Sequence, residues 1–499
     1  MIFNGQTLTK RSFYHLVPSV LPAFHQIAVS NYFKPFSTSH AGLEADSDLA
    51  FLVAKISPGS SEDEVFLSLQ SNPACETIRL THKLVGNLLH CFKDDWKSAL
   101  GAFRWADSHP GYTPLPEFYD EVVDILGKMK KMDRMCTFLD EMCHNQQTVT
   151  LSTIAKVMRR FAGAGKWKEA VRIFDELGKY GIEKNTESMN LLLDTLCKSN
   201  RTLQAREIFL ELKSHIPPNP NTFNIFIHGW CKANSVDEAL WTIQEMKGYG
   251  FHPCIISYST IIRSYCNQSN FPKVYELLDE MKAEGCEPNA VTFTTIISSL
   301  TKLERFEEAL EVRERMRSVA CKPDTLFYNA LIYTLGRSRK IKEAIRVLKV
   351  EMPTHGVKPN TSTYNSLIAT FCLHRQEADA LECLREMESS PHCEPDAQTY
   401  YPLLKLCFIN GKTDDLLPEL MDEMVNRHHL SLDLSAYSLL IHGLCRSNKC
   451  EWAYRIFEEM IAKEITPRYQ TCKVLLEEIK QKNMFDVADR IEEFMKKMK

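Results

Sequence analysis

Apolar residues return along this chain in two helical phases per unit, Phe223, Phe226, Ile227 and Trp230 in one stretch and Ala239, Leu240, Ile243 and Met246 in the next. Steps of three and four residues put each set on one face of a helix, so the pattern predicts a pair of amphipathic helices. The polar stretch "KANSVD" joins them, and "GFHPC" ends the pair because proline cannot continue a helix. The pair then recurs. Phe223, Tyr258, Phe293, Tyr328, Tyr364, Tyr400 and Tyr437 hold one register, with steps of 35, 35, 35, 36, 36 and 37 residues. Met142, Met246, Met281, Met316, Met387, Met460 and Met495 hold a second, and Ala170, Ala205, Ala239, Ala309, Ala344, Ala380 and Ala453 a third. Three registers in phase predict stacked supersecondary units. Neither helix of a pair can bury its apolar face alone, so neighbours must supply the core. The predicted fold class is therefore all-α, an α-α superhelical solenoid of stacked helical hairpins with a period of about 35 residues.

The same registers suggest boundaries. Ten units cover 116–468, with starts at Pro116, Leu151, Thr186, Pro220, Ile255, Ala290, Thr325, Thr361, Ala397 and Leu434. A degenerate unit is expected over 81–115 and a truncated capping unit over 469–499, where "EEFMKKMK" replaces apolar stacking residues by charge. Residues 1–40 read as an organelle transit peptide and 41–80 as a variable segment. The first 43 residues hold no Asp or Glu but carry Lys10, Arg11 and Lys34 among many hydroxyl and aromatic residues. A mitochondrial address is preferred to the chloroplast alternative. Pro18 and Pro22 interrupt the apolar runs there, so no membrane anchor is expected.

Composition alters this picture little. Of 499 residues 44% are hydrophobic and 25% charged, a globular balance, and the net charge of −4 advertises no polyanion partner over the whole surface. Any nucleic-acid contact must then be local. The 17 cysteines include no pair separated by two residues, which excludes a paired-cysteine zinc motif and suggests no disulfide framework. Cys197, Cys231, Cys266, Cys372 and Cys445 recur at one register beside large apolar residues and read as small buried hydrophobes. "HCE" at His392–Glu394 imitates the His-x-Glu of zinc deaminases without the cysteines the metal needs. No phosphate-binding glycine loop or nucleophile elbow is present, so neither enzyme chemistry, a metal nor a cofactor is expected.

A hairpin of this period could be a tetratricopeptide array, a protein-binding scaffold. The late methionine and the missing Trp-x-x-Leu-Gly signature depart from that pattern. With "YNALIYTLGRSRKIKEAIRVL", "FNIFIHGWCKANSVDEALWTI" and its Pro-Asp or Pro-Asn tails, the chain resembles the pentatricopeptide repeat family, in its pure-repeat, plant organellar form, over about residues 81–499. The resemblance implies single-stranded RNA binding at one base per repeat, read by the fifth residue of a unit and its last. Carried over unit by unit, Asn190 with Asn219 implies a pyrimidine, Asn224 with Cys254 a weaker pyrimidine, Ser259 with Asn289 A, Thr294 with Asp324 G, Asn329 with Asn360 a pyrimidine, and Asn365 with Asp396 U. The implied partner is organellar RNA with a core Y-(Y)-A-G-Y-U. Asp120 with Thr150, Ala155 with Asn185, Tyr401 with Asp433 and Ser438 with Arg468 depart from the usual pairs.

Physical chemistry supports the pairing. An Asn amide offers donor and acceptor to a pyrimidine edge, and a hydroxyl suits a purine ring nitrogen. Apolar Ile256, Val291 and Leu326 could wedge between bases. Lys198, Lys232, Lys302, Arg337 and Arg446 recur at the end of the first helix as candidate phosphate contacts. Helix capping and solvated helix ends explain the same residues in any single unit. Capping does not, however, demand alternation among Asn, Ser and Thr on a constant apolar frame. The expected role is post-transcriptional, assisting intron splicing or transcript stabilisation and processing, with other splicing or processing factors as further partners. A helical protein-interaction scaffold and an RNA-processing enzyme are the alternatives.

Overall fold

The computed structural model describes residues 40–56, 61–144 and 149–497; the transit-peptide reading of 1–40 falls almost wholly outside them. The described residues form two compact units, one within Pro35–Cys286 and one within Glu287–Lys499. Both are all-α, each a stack of helical hairpins, the solenoid arrangement that the periodicity predicts. Among the described residues no helix is long and apolar enough to cross a membrane.

In the first unit the hairpins are His82–Cys91 with Trp96–Ser108, Pro116–Lys128 with Met132–His144, and Leu151–Gly163 with Trp167–Asp175, followed by Thr186–Lys198 with Thr202–Leu212, Pro220–Lys232 with Val236–Gly248, and Ile255–Asn267 with Phe271–Ala283. An additional helix, Glu62–Gln70, lies against Trp96–Ser108, where a Cβ on Gly101 would come within 2.5 Å of the Glu62 carbonyl and 2.7 Å of Val65 Cβ. In the second unit the first helices are Ala290–Lys302, Thr325–Arg337, Thr361–Leu373, Ala397–Asn410, Leu434–Arg446 and Tyr469–Gln481.

The three sequence registers supply the core, with Tyr364 half-buried. Phe223, Tyr258, Tyr400 and Tyr437 are fully buried, as is every alanine of the third register, from Ala170 to Ala453. Late methionines Met246, Met281, Met387 and Met460 complete the layer; only Met495, in the last hairpin, is partly exposed. Most joins within a hairpin turn through one left-handed residue, such as Asn200, Asn234, Glu304, Arg339 or Asn448, with φ between 60 and 62°. Of the recurrent cysteines, Cys197, Cys266, Cys372 and Cys445 are buried as expected and Cys231 is half-buried. Burial pushes the thiols of Cys197, Cys372 and Cys445 up to about 12.

Units longer than 35 residues absorb the surplus in different places. In 325–360 the extra residue enters the second helix as a π-helical turn, Val347–Glu351, between Ile341–Arg346 and Met352–Thr354. The equally long unit 361–396 keeps a regular helix, Glu377–Ser389, and lengthens its proline tail. In 397–433 the first helix extends to Asn410 and a second π-helical turn spans Glu423–Arg427. In each case the last residue of the unit still arrives at the N-cap of the next first helix, so the insertions leave the proposed reading register intact.

Candidate nucleic-acid interface

The last residue of most units is a helix cap. Asn219, Asn289, Asp324, Asn360 and Asp396 each accept a hydrogen bond from the backbone N–H three residues on, at 3.1, 3.0, 2.7, 3.0 and 3.0 Å. The capping explanation thus holds for these positions, and it satisfies donors that a helix start would otherwise leave unpaired. Cys254 sits at the same N-cap with extended backbone but makes no full side-chain cap bond.

The fifth residue lies one turn inside the first helix and is not a cap. Where it is Asn, its amide reaches forward to the cap of the following unit. Asn190 Nδ2 donates to Asn219 Oδ1 at 3.1 Å, Asn329 Nδ2 to Asn360 Oδ1 at 3.3 Å, and Asn365 Nδ2 to Asp396 Oδ1 at 3.0 Å. Asn224 Nδ2 finds only the Cys254 sulfur, at 3.8 Å. So the structure brings together the sequence-predicted pairs Asn190/Asn219, Asn224/Cys254, Asn329/Asn360 and Asn365/Asp396. Thr294 instead donates to the Ala290 carbonyl of its own helix at 2.8 Å, while Asp324 caps the next helix. Ser259 donates to the Ile255 carbonyl. It belongs to the first compact unit, and Asn289 to the second.

These rungs are more recessed than an exposed ladder would be. Asn190 is 6% exposed and Asn329 8%, while Asn224 and Asn365 are half-buried. Space for this close packing of first helices comes partly from Gly229, where a Cβ would meet Cys197 Sγ at 2.8 Å. The apolar residues before the rungs are the reverse: Ile256, Val291 and Leu326 are exposed by 63, 46 and 61%.

The thiol of Cys254 differs from its buried counterparts. Burial by itself raises its pKa, but hydrogen bonds from the backbone N–H groups of Ser257 and Ile256 and from the Asn224 amide bring it below the ordinary value. These groups all favour the thiolate.

The candidate phosphate contacts are not equivalent. Lys198 is ion-paired with Asp194 at 2.7 Å and Arg337 with Glu304 at 2.7 Å. Lys232 donates to the Lys198 carbonyl. Lys302 and Arg446 are exposed and form no ion pair among the described residues. Two further exposed cations, Arg263 and Lys405, stand four residues beyond Ser259 and Tyr401. Helical i,i+4 spacing from the fifth residue would have found them in the sequence.

More informative is a set of hydroxyls that the sequence reading passed over. The third residue of the next unit donates to the Asn carbonyl oxygen: Thr222 to Asn190 at 2.7 Å, Ser257 to Asn224 at 2.6 Å, Thr363 to Asn329 at 2.6 Å, and Thr399 to Asn365 at 2.6 Å. The recurring Ser or Thr two places before the fifth residue was the available signal. Among the units outside the usual pairs, Asp120 accepts from Thr153 at 2.5 Å and pairs with Lys156 at 3.2 Å, and the Tyr401 hydroxyl donates to Asp433.

Comparison with known proteins gives the family. The sequence matches the models described as PPR repeat family over 184–232, 253–302, 323–373 and 359–408, and as PPR repeat over 157–182, 221–251, 291–321 and 428–461. The chain belongs to the pentatricopeptide repeat family. It is 56% identical over 487 residues to the mitochondrial pentatricopeptide repeat-containing protein At3g04130 of Arabidopsis thaliana, covering 96% of each chain. It is 42% identical over 176 residues to a second mitochondrial protein of that plant, At3g22670, covering 35% of this chain and 31% of the other. Both relatives carry the mitochondrial address that the N-terminal composition suggested, and this chain is placed there with them. Among solved structures it is similar to PPR10 in complex with an 18-nt psaJ RNA element, with 18% identity, 96% of this chain and 79% of that chain covered, and a TM-score of 0.49.

Proposed function

We propose that this protein binds single-stranded RNA of the mitochondrion with base selectivity, without catalysing a reaction, and acts on transcripts after transcription. One observation carries the reading. In four units an Asn amide is held at both ends, by a cap in front and a hydroxyl behind, and its second N–H and second lone pair have no partner among the described residues. Capping explains the terminal residue, but a helix start does not require an amide one turn further in. A donor and an acceptor on one planar group, repeated once per unit, suit the edge of a base. The proposed core is Y-(Y)-A-G-Y-U, read in order by the pairs from Asn190/Asn219 to Asn365/Asp396, with Lys302, Arg446 and the previously unassigned Arg263 and Lys405 as phosphate contacts.

The test is binding of the purified full chain to a base-randomised RNA pool at several salt concentrations. Enrichment of the core, with affinity falling as salt rises, is expected. Binding indifferent to base identity would favour the protein-scaffold reading, and metal-dependent cleavage would favour an RNA-processing enzyme. Assistance to intron splicing is preferred among the outcomes, because holding one strand single prevents competing pairings. Profiling splicing and transcript ends in mitochondria lacking the protein separates it from end protection.

A further inference from the structure

We propose that the third-position hydroxyl of the following repeat, in Thr222, Ser257, Thr363 and Thr399, is a positioning residue for base selectivity. This inference rests on the base reading proposed above and adds a residue to each Asn unit.

The hydroxyl is locked into a directed chain of hydrogen bonds. The N–H of the cap residue donates to it, from Asn219 to Thr222 Oγ1 at 3.1 Å, from Cys254 to Ser257 Oγ at 3.2 Å, from Asn360 to Thr363 Oγ1 at 3.1 Å and from Asp396 to Thr399 Oγ1 at 3.0 Å. With that lone pair used, the hydroxyl's proton goes to an oxygen. For Thr222, Thr363 and Thr399 two oxygens are near. The distances to the cap carboxamide or carboxylate are 3.2, 2.9 and 3.2 Å, against 2.7, 2.6 and 2.6 Å to the Asn of the preceding repeat. The shorter contact orients the Asn amide, oxygen toward the hydroxyl and nitrogen toward the cap. In the Asn365 unit the alternative orientation is excluded outright, since the Asp396 carboxylate accepts and cannot donate. Bonds in such a chain polarise one another, which strengthens the preference for one orientation.

All four Asn rungs face a Ser or Thr, and the hydroxyl is not confined to them: Asp120, Ala155, Ser259 and Ser438 are followed at the same position by Thr153, Ser188, Thr292 and Thr471. The rungs Thr294 and Tyr401 are followed at the same position by Phe327 and Ala436, which have no hydroxyl to give. A threonine rung orients its own group through the Ala290 carbonyl and needs no such partner. Without the hydroxyl an Asn amide whose cap is itself an amide, as at Asn190 and Asn329, can turn over and exchange its donor and acceptor edges, and a base edge is then met by the wrong pattern half the time. The hydroxyl does not touch the base; it holds the group that does.

Base-randomised binding to Thr363→Val, Thr363→Ser and the parent protein tests this, with thermal melting alongside. Valine keeps the shape of threonine, which suits a site with no exposed surface. In Thr363→Val the pyrimidine-over-purine ratio at the base assigned to Asn329 is expected to fall at least about fivefold. The base assigned to Asn365 should keep its preference, and Thr363→Ser should restore the lost one. Thr222→Val provides an independent repeat, with the effect moved to the Asn190 base. A ratio unchanged in both valine variants overturns the inference, as does an equal loss at every base, which is what a merely structural role gives. No preference at the Asn329 base in the parent protein defeats the base reading itself, and the positioning role with it.

Discussion

The repeats 220–254 and 361–396 differ where it matters for both stability and recognition. Each carries an Asn at the fifth position and a hydroxyl behind it, at 2.6 Å in both. In 361–396 the amide meets Asp396, whose oxygen also caps the next helix at 3.0 Å. In 220–254 it meets the larger, weakly accepting sulfur of Cys254 at 3.8 Å, and the helix cap is a weaker bond to sulfur. The comparison teaches that one terminal oxygen does two jobs. A substitution there weakens helix initiation and base discrimination together, and the two effects are separable only by measuring both.

The largest expected effect is a change of base at a third repeat. Thr294→Asn should move preference at that base from G toward U, a shift on the scale of about 1–3 kcal/mol for a well-made base contact. With Phe327 rather than a hydroxyl behind it, the new Asn depends on the Asp324 carboxylate alone for its orientation. A preference left at G, read from the same randomised pool, would contradict the assignment. Next, Asp396→Cys should make the strong repeat resemble the weak one. Stability should drop by about 1 kcal/mol for the weakened cap, seen as a lower denaturant midpoint, and U selectivity at the Asn365 base should relax.

The reciprocal Cys254→Asp is expected to raise stability by about 0.5–1 kcal/mol and to convert the weak pyrimidine preference to U. A variant that stabilises without sharpening recognition would show that capping and reading are independent. The smallest effect involves no change of sequence. Because the Cys254 thiol ionises below the ordinary value and that of Cys197 is pushed up to about 12, a thiol reagent near pH 8 should label Cys254 before Cys197. Mass spectrometry of the native protein checks the order. Labelling should become faster as pH rises, since the thiolate is the nucleophile, and Cys197, 1% exposed, should react only on unfolding.

Much of this molecule was legible in its sequence because repetition averages out local ambiguity. A single aromatic such as Phe223 says little, but seven in register with the alanine and methionine lines define which faces are buried. The terminal Asn and Asp residues were legible for the same reason, since a proline tail followed by an apolar helical run calls for a cap. The weaker standing of Cys254 could also be anticipated, as sulfur is a poor substitute for an amide or carboxylate oxygen. The phosphate register was read too evenly: sequence spacing placed Lys198 and Lys302 alike, and only the structure pairs the first with Asp194.

What the sequence by itself determined is the order of elements, the period and the chemical type of each rung, because all three are carried by contacts or spacings within one repeat. Tertiary structure decided the rest. Units 325–360 and 361–396 have the same length, yet one takes its extra residue as a π-helical turn and the other in its tail. The direction of each Asn amide was decided there as well. It depends on a hydroxyl more than 30 residues away in the chain, as Thr363 is from Asn329, brought within 2.6 Å only when the next hairpin is stacked in place. Composition can name the groups that could read a base, but their orientation is a property of the interface between repeats.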